Sequence, residues 1–119
     1  MYTVRVEGGF AAAHFLSHYH GKCEKLHGHN YRVRVYARSE TLNDGGMVLD
    51  FGELKAALRE VLLPLDHGLL NDLEQFAGDP SAERIAAYIF SGLASRLPGA
   101  PLTAVEVFET DINMARYEP

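Results

Sequence analysis

The sequence predicts an α+β domain in which a four-stranded antiparallel sheet carries two helices on one face. Three observations point there. Residues 2–15 and 29–39 alternate apolar and polar side chains, the two-residue period of a half-buried strand. Residues 50–64 and 79–98 place apolar side chains at helical spacing between caps and prolines. Residues 102–117 then return to strand-like composition. The order is strand, strand, helix, helix, strand, strand, with no repeat, low-complexity segment or linker. Its short connections favour antiparallel neighbours.

In the first strand, Tyr2 to Phe15, the residues Tyr2, Val4 and Val6 alternate with Thr3, Arg5 and Glu7, and Gly8-Gly9 suggests a bulge. Ser17 to Gly21 reads as a polar loop whose His18 and His20 are solvated. In the second strand, His29 to Ser39, the residues Tyr31, Val33, Val35 and Ala37 share one face, and Asn43-Asp44-Gly45-Gly46 turns the chain. Asp50-Phe51-Gly52-Glu53 has the spacing of a capping box, so a helix starts there. Its core face is Leu54, Ala57, Leu58, Val61 and Leu62, and Pro64 stops it. Residues 65–71 read as a turn. Asp79-Pro80 reads as an N-cap followed by proline at the first helical position. The second helix buries Ile85, Ala86, Ile89, Phe90, Leu93 and Leu97 and ends at Pro98-Gly99. Leu102 to Thr110 and Asn113 to Tyr117 are the last two strands, joined by Asp111-Ile112. Such a sheet leaves one face and both edges uncovered, so a ring-shaped homo-oligomer is expected.

The 119 residues make one domain by length. Lys and Arg number 11 against 16 Asp and Glu, a formal charge of −5, which gives no electrostatic footprint for nucleic acid and favours a small-molecule substrate. The single cysteine, Cys23, excludes an internal disulfide and sits among charged residues, as a reactive thiol in a reducing compartment does. No apolar run approaches the ~18 residues of a membrane span, so the expected location is the cytoplasm.

Chemistry concentrates in Cys-Glu-Lys-Leu-His-Gly-His, Cys23 to His29. His27 and His29 are two apart, so in a strand their side chains leave the same face and can converge on one ion. Neutral imidazole suits zinc, copper, iron or nickel, and a catalytic zinc takes three protein ligands with an open fourth position. The third ligand expected is His14, which follows Ala11-Ala12-Ala13 near the end of the first strand, where small neighbours leave room. A second candidate cluster is the adjacent carboxylate and imidazole of Asp66-His67; alone, that pair reads first as a turn held by an Asx hydrogen bond and only second as a reactive pair.

Ala12-Ala13-His14, Cys23 to His29, Gly46 to Phe51, Leu65-Asp66-His67, Pro80 to Glu83 and Phe108-Glu109-Thr110 are six segments that occur in this order. Together they resemble the 6-pyruvoyl-tetrahydropterin synthase family and its bacterial relatives, the 6-carboxy-tetrahydropterin synthases of queuosine biosynthesis. The resemblance implies the tunnelling fold, trimers stacked into hexamers, and active sites between subunits. It implies zinc on His14, His27 and His29, Cys23 moving the substrate proton, Asp66 with His67 as an acid/base pair, and Glu109 anchoring a pterin. The implied reaction converts 7,8-dihydroneopterin triphosphate to 6-carboxy-tetrahydropterin, releasing acetaldehyde and triphosphate. The runner-up products are the pyruvoyl and 6-hydroxymethyl pterins, and a non-catalytic zinc or pterin-binding module is the reading from another class.

Two features depart from the family's commonest pattern. Glu24 follows Cys23 directly, as in relatives that cleave dihydroneopterin for folate synthesis with the glutamate as base, so Glu24 stands as a secondary base. Ser81 replaces a frequent threonine and Arg84 a frequent asparagine; Arg84 is expected to meet either a phosphate or solvent.

Overall fold

The computed structural model describes residues 1–18, 21, 25–76 and 78–119. Strand β1, Tyr2–His14, and strand β2, His27–Ser39, form a long antiparallel hairpin. Their register is unbroken from Tyr2 opposite Ser39 to His14 opposite His27. The expected bulge at Gly8-Gly9 is therefore not there. The glycines answer crowding instead: a Cβ on Gly8 would lie 2.9 Å from Leu58 Cδ2, and one on Gly9 would lie 2.8 Å from the Tyr31 carbonyl oxygen. Even-numbered residues of β1 and odd-numbered residues of β2 face the helices, which buries Val6, Phe10 and Ala12 with Tyr31, Val33 and Val35. The Asn43 turn forms as read, with the Asn43 side-chain oxygen accepting from the N–H groups of Gly45 and Met47.

Helix α1, Phe51–Leu62, starts at Asp50, whose carboxylate accepts from the Gly52 N–H at 2.9 Å, and buries the five residues expected. A 3₁₀ turn over Leu63–Leu65 carries Pro64. The stretch read as a turn contains a short strand, β3, Gly68–Leu69, which pairs parallel to β1 at Ala12 and Ala13. At two residues it is below the length that an alternation pattern can reveal. It is anchored on both sides: the His67 N–H donates to the Ala11 carbonyl at 2.6 Å, and the Asn71 amide both donates to and accepts from the Phe15 backbone at 3.0 Å.

Helix α2, Ala82–Arg96, is capped by Ser81 rather than Asp79: the Ser81 hydroxyl accepts from the Arg84 N–H at 3.2 Å. Asp79 is engaged elsewhere, as described below. The buried face contains Ile85, Ala86, Ile89 and Leu93, with Phe90 and Leu97 partly buried at its margin. Strands β4, Leu102–Phe108, and β5, Met114–Tyr117, complete the sheet, shorter than expected because the Glu109 N–H to Asn113 carbonyl bond closes a turn over residues 109–113. The sheet is thus five-stranded and mixed, in the order β3-β1-β2-β4-β5, rather than four-stranded and antiparallel. Both helices pack into a single hydrophobic cluster on one face. The opposite face carries Arg32 and Arg34 over the Phe108 ring, and Glu106 held by Tyr36 and Arg116. Among the described residues no helix is long and apolar enough to cross a membrane.

Candidate functional site

The unbroken register of β1 and β2 builds the site. His14 lies directly across from His27, and His29 lies across from Ala12, so all three imidazoles leave the helix-facing side at the loop end of the hairpin. The small side chain at Ala12 leaves space for the His29 ring. The ring centroids are 4.5 to 5.1 Å apart, and one ligating atom from each ring lies within 4.8 Å of the others.

Two hydrogen bonds fix which nitrogen the His14 and His27 rings present. His14 Nδ1–H donates to the Pro80 carbonyl at 2.9 Å, and His27 Nδ1–H donates to the Lys25 carbonyl at 2.7 Å. A carbonyl only accepts, so both Nε2 atoms are left as free lone pairs. The Nε2 atoms of His14 and His29 are buried with no hydrogen-bond partner among the described residues. Buried polar atoms are nearly always satisfied, and two orphaned imidazole nitrogens pointing at one place mark the place of a ligand. Burial holds the His29 imidazole below its ordinary pKa; the Glu109 carboxylate opposes that shift, and His14 and His27 reinforce it. Neutral imidazole is the form that a metal takes. The donor set therefore fits a zinc-class cation with three nitrogen ligands.

Glu109, just past β4, brings its carboxylate to 3.7 Å from His29 Nε2 and 4.0 Å from His14 Nε2. The same side chain lines a cavity of about 250 Å³ with Leu16, Ser81, Glu83, Asn113 and Met114. Glu83 and Asn113 were not singled out from the sequence. Glu83 reads there as an ordinary acid in the first turn of a helix, and nothing in the sequence alone brings it beside Glu109. Tyr31 lies beneath the triad, its ring stacked on Phe10 with centroids 4.6 Å apart and edge-on to His29 at 5.2 Å.

Asp66 and His67 do form a pair, with Nδ1 of His67 2.8 Å from Asp66 Oδ2. Asp66 also accepts from the Ala11 N–H at 2.9 Å, which holds its carboxyl below the usual range, with His67 adding to the effect. This pair stands at the outer edge of β1. The His67 side chain is 82% exposed on a backbone of φ 59°, and no hydrogen bond or ion pair among the described residues joins the pair to the triad.

Asp79 collects the start of the β1–β2 loop. It accepts from the Ser17 hydroxyl at 2.6 Å, from the Ser17 N–H at 2.8 Å and from the His18 N–H at 3.0 Å, with His18 Nδ1 at 3.1 Å. These bonds, the Ser17 hydroxyl first, depress its pKa strongly. His18 is thus solvent-exposed, as expected, yet tethered. Arg84 is exposed, in line with the solvent expectation, and its guanidinium also donates to the Phe76 and Asp79 carbonyls at 3.3 and 3.2 Å. Cys23, Glu24 and His20 lie outside the described residues.

Residues 3–119 match the family described as 6-pyruvoyl tetrahydropterin synthase. The chain belongs to this family. It is similar to the 6-carboxy-5,6,7,8-tetrahydropterin synthase of Synechocystis sp., 45% identical over 98% of this chain and 93% of that protein. It is also similar to human 6-pyruvoyl tetrahydrobiopterin synthase, 40% identical over 82% of this chain and 71% of that protein. The solved structure of Caenorhabditis elegans 6-pyruvoyl tetrahydropterin synthase superposes with a TM-score of 0.90 at 32% identity, covering 99% of this chain and 95% of that one. The fold is accordingly the family's α+β tunnelling fold.

Proposed function

We propose that this chain is a zinc-dependent 6-carboxy-tetrahydropterin synthase. Its substrate is 7,8-dihydroneopterin triphosphate, its products are 6-carboxy-5,6,7,8-tetrahydropterin, acetaldehyde and triphosphate, and its setting is queuosine biosynthesis in the cytoplasm. The observation that carries the reading is the convergence of three imidazoles, two with orphaned Nε2 atoms, beside a carboxylate that also lines a cavity. Similarity to the Synechocystis carboxy-forming protein over nearly the whole of both chains supports the choice of product.

In this reading His14, His27 and His29 hold the zinc. Bound zinc supplies positive charge that polarises substrate oxygens and eases loss of a proton from the adjacent carbon. Glu109 accepts paired N–H donors from the pterin edge, a geometry that an ionised carboxylate matches. Cys23 takes the substrate proton as thiolate, since a free thiol titrates near ~8.5 and neighbouring Lys22 and Lys25 favour its ionised form. His67 moves protons, oriented by the Asp66 carboxylate already on its Nδ1. Because that pair is exposed at a sheet edge, it acts on the triad of a neighbouring subunit in a hexamer of two stacked trimers.

The test is product analysis by mass spectrometry with triphosphorylated and free dihydroneopterin. Acetaldehyde with the carboxy product is expected, and its absence overturns the assignment. Glu24 beside Cys23 favours one second reading, cleavage to 6-hydroxymethyl-dihydropterin, and similarity to the human protein favours another, the pyruvoyl product. Adjacent residues point to opposite sides wherever a segment is extended, and unless the loop bends locally Cys23 and Glu24 would then serve different outcomes. Cys23→Ala is expected to lose carboxy formation by ~100- to 10,000-fold while keeping some hydroxymethyl product, and Glu24→Ala to do the reverse. Near-full carboxy formation by Cys23→Ala removes the thiol from the mechanism. Zinc loading without turnover of any dihydroneopterin points to a binding module.

A further inference from the structure

We infer that Glu109 is itself a ligand of the metal in the substrate-free protein, and that it leaves the metal for the pterin when substrate enters. This rests on the proposed function for the identity of the substrate and deepens it at the same site.

The argument begins with the lone pairs. The Pro80 carbonyl fixes the His14 proton on Nδ1, so Nε2 faces the Glu109 carboxylate with electrons rather than with a hydrogen. The two carboxylate distances, 3.7 Å to His29 Nε2 and 4.0 Å to His14 Nε2, are beyond hydrogen-bond reach. Electron-rich groups set face to face in a mostly buried place need positive charge between them. Ligands about 2.0 to 2.1 Å from a tetrahedral zinc stand about 3.3 Å apart, so a slight tightening turns the observed spacings into those of donors sharing one ion.

The carboxylate also has no other engagement. Among the described residues no side-chain or backbone donor bonds it, while the Glu109 N–H is held by the Asn113 carbonyl at 3.1 Å, which fixes the residue's backbone at the end of β4. Its ion-pair distances are to His14 and His29. From the same backbone position it lines the cavity shared with Glu83. One carboxylate therefore stands between two partners, the metal on one side and the cavity on the other. Its occupation of the fourth metal position closes the site to adventitious ligands until a pterin competes for the carboxylate, and pterin binding then opens that position.

The experiment loads the full-length protein with zinc, and separately with cobalt(II) for its visible spectrum, in wild type, Glu109→Gln and Glu109→Asp. Glu109→Gln preserves shape, and its zinc affinity against a competing chelator is expected to fall by at least about tenfold. Its cobalt spectrum is expected to differ from wild type, with Glu109→Asp between the two. Addition of 7,8-dihydroneopterin to the wild-type cobalt protein is expected to change the spectrum as the carboxylate departs. Wild-type zinc affinity and an unchanged cobalt spectrum in Glu109→Gln overturn the inference, and do so without touching the proposed function if the zinc protein turns over dihydroneopterin triphosphate. The spectral difference without any turnover supports the ligation and defeats the proposed function instead.

Discussion

Two histidine-bearing regions of this chain are built in opposite ways. His14, His27 and His29 stand on the longest paired ladder in the molecule, their rings oriented by backbone carbonyls and floored by Tyr31 and Phe10. Asp66-His67 stands on a left-handed turn at the sheet edge, with its imidazole in solvent. The first region is complete within one chain because a cation needs ligands of fixed separation, which a strand register supplies. The second has the chemistry of an acid/base pair and, among the described residues, nothing within its own chain to act on. The difference teaches that the folded chain by itself assembles a donor set that a metal could use, whereas the proposed proton transfer by Asp66-His67 requires a second subunit.

The sharpest way to break the comparison is to remove a triad member. His27→Ala is expected to lose most bound zinc by elemental analysis, since two imidazoles hold zinc far more weakly than three; full retention refutes the ligand assignment. The complementary experiment mixes two inactive proteins. His27→Ala and His67→Ala, refolded together into mixed oligomers, are expected to recover activity, because sites then form from an intact triad on one subunit and an intact pair on the other. A mixture as inactive as its parents would place both groups in the same chain's site.

The two regions were also unequally legible in the sequence. The triad was readable because period-two spacing turns His27 and His29 to one face, and strand pairing supplied His14 without any knowledge of the helices. Asp66-His67 was readable as a cluster but not as an edge feature, because its placement depends on β3, two residues long and parallel. Asp79 shows the limit from another side. An aspartate before proline has the local signature of a helix cap, and its actual partners, Ser17 and His18, are 62 and 61 residues away in sequence. Likewise Gly8-Gly9 has the signature of a bulge, while the reason for Gly8 is a leucine on a helix 50 residues on. Local patterns located elements and ligand faces; they did not reveal which competing partner a polar or small residue would meet.

Asp79 gives a smaller effect, read in acid stability rather than activity. Its folded pKa lies below its unfolded value of 3.8, so its stabilisation is fully present above that value and is lost as pH falls toward the folded pKa. Denaturant midpoints of wild type are expected to drop across that acid range, and those of Asp79→Asn to drop less while starting lower at neutral pH. Parallel curves for the two proteins would mean that the contacts to Ser17 and His18 contribute no linkage.

The smallest expected effect separates the floor of the triad from the triad itself. The Tyr31 ring is 2% exposed and stacked on Phe10, but its hydroxyl is buried with no hydrogen-bond partner among the described residues. Burial, with the Glu109 charge adding to it, pushes the phenol pKa well up, so the group stays neutral and keeps a proton with nowhere to donate it. Tyr31→Phe keeps the ring that packs against His29 and removes an unsatisfied polar group. It is therefore expected to leave zinc affinity unchanged and raise stability by about 1 kcal/mol in urea denaturation at fixed protein concentration. Tyr31→Leu removes the ring as well and is expected to lose both stability and zinc affinity. If Tyr31→Phe is instead destabilised, the hydroxyl has a partner in the assembled, metal-loaded protein, and the floor of the site belongs to its polar chemistry rather than to its packing alone.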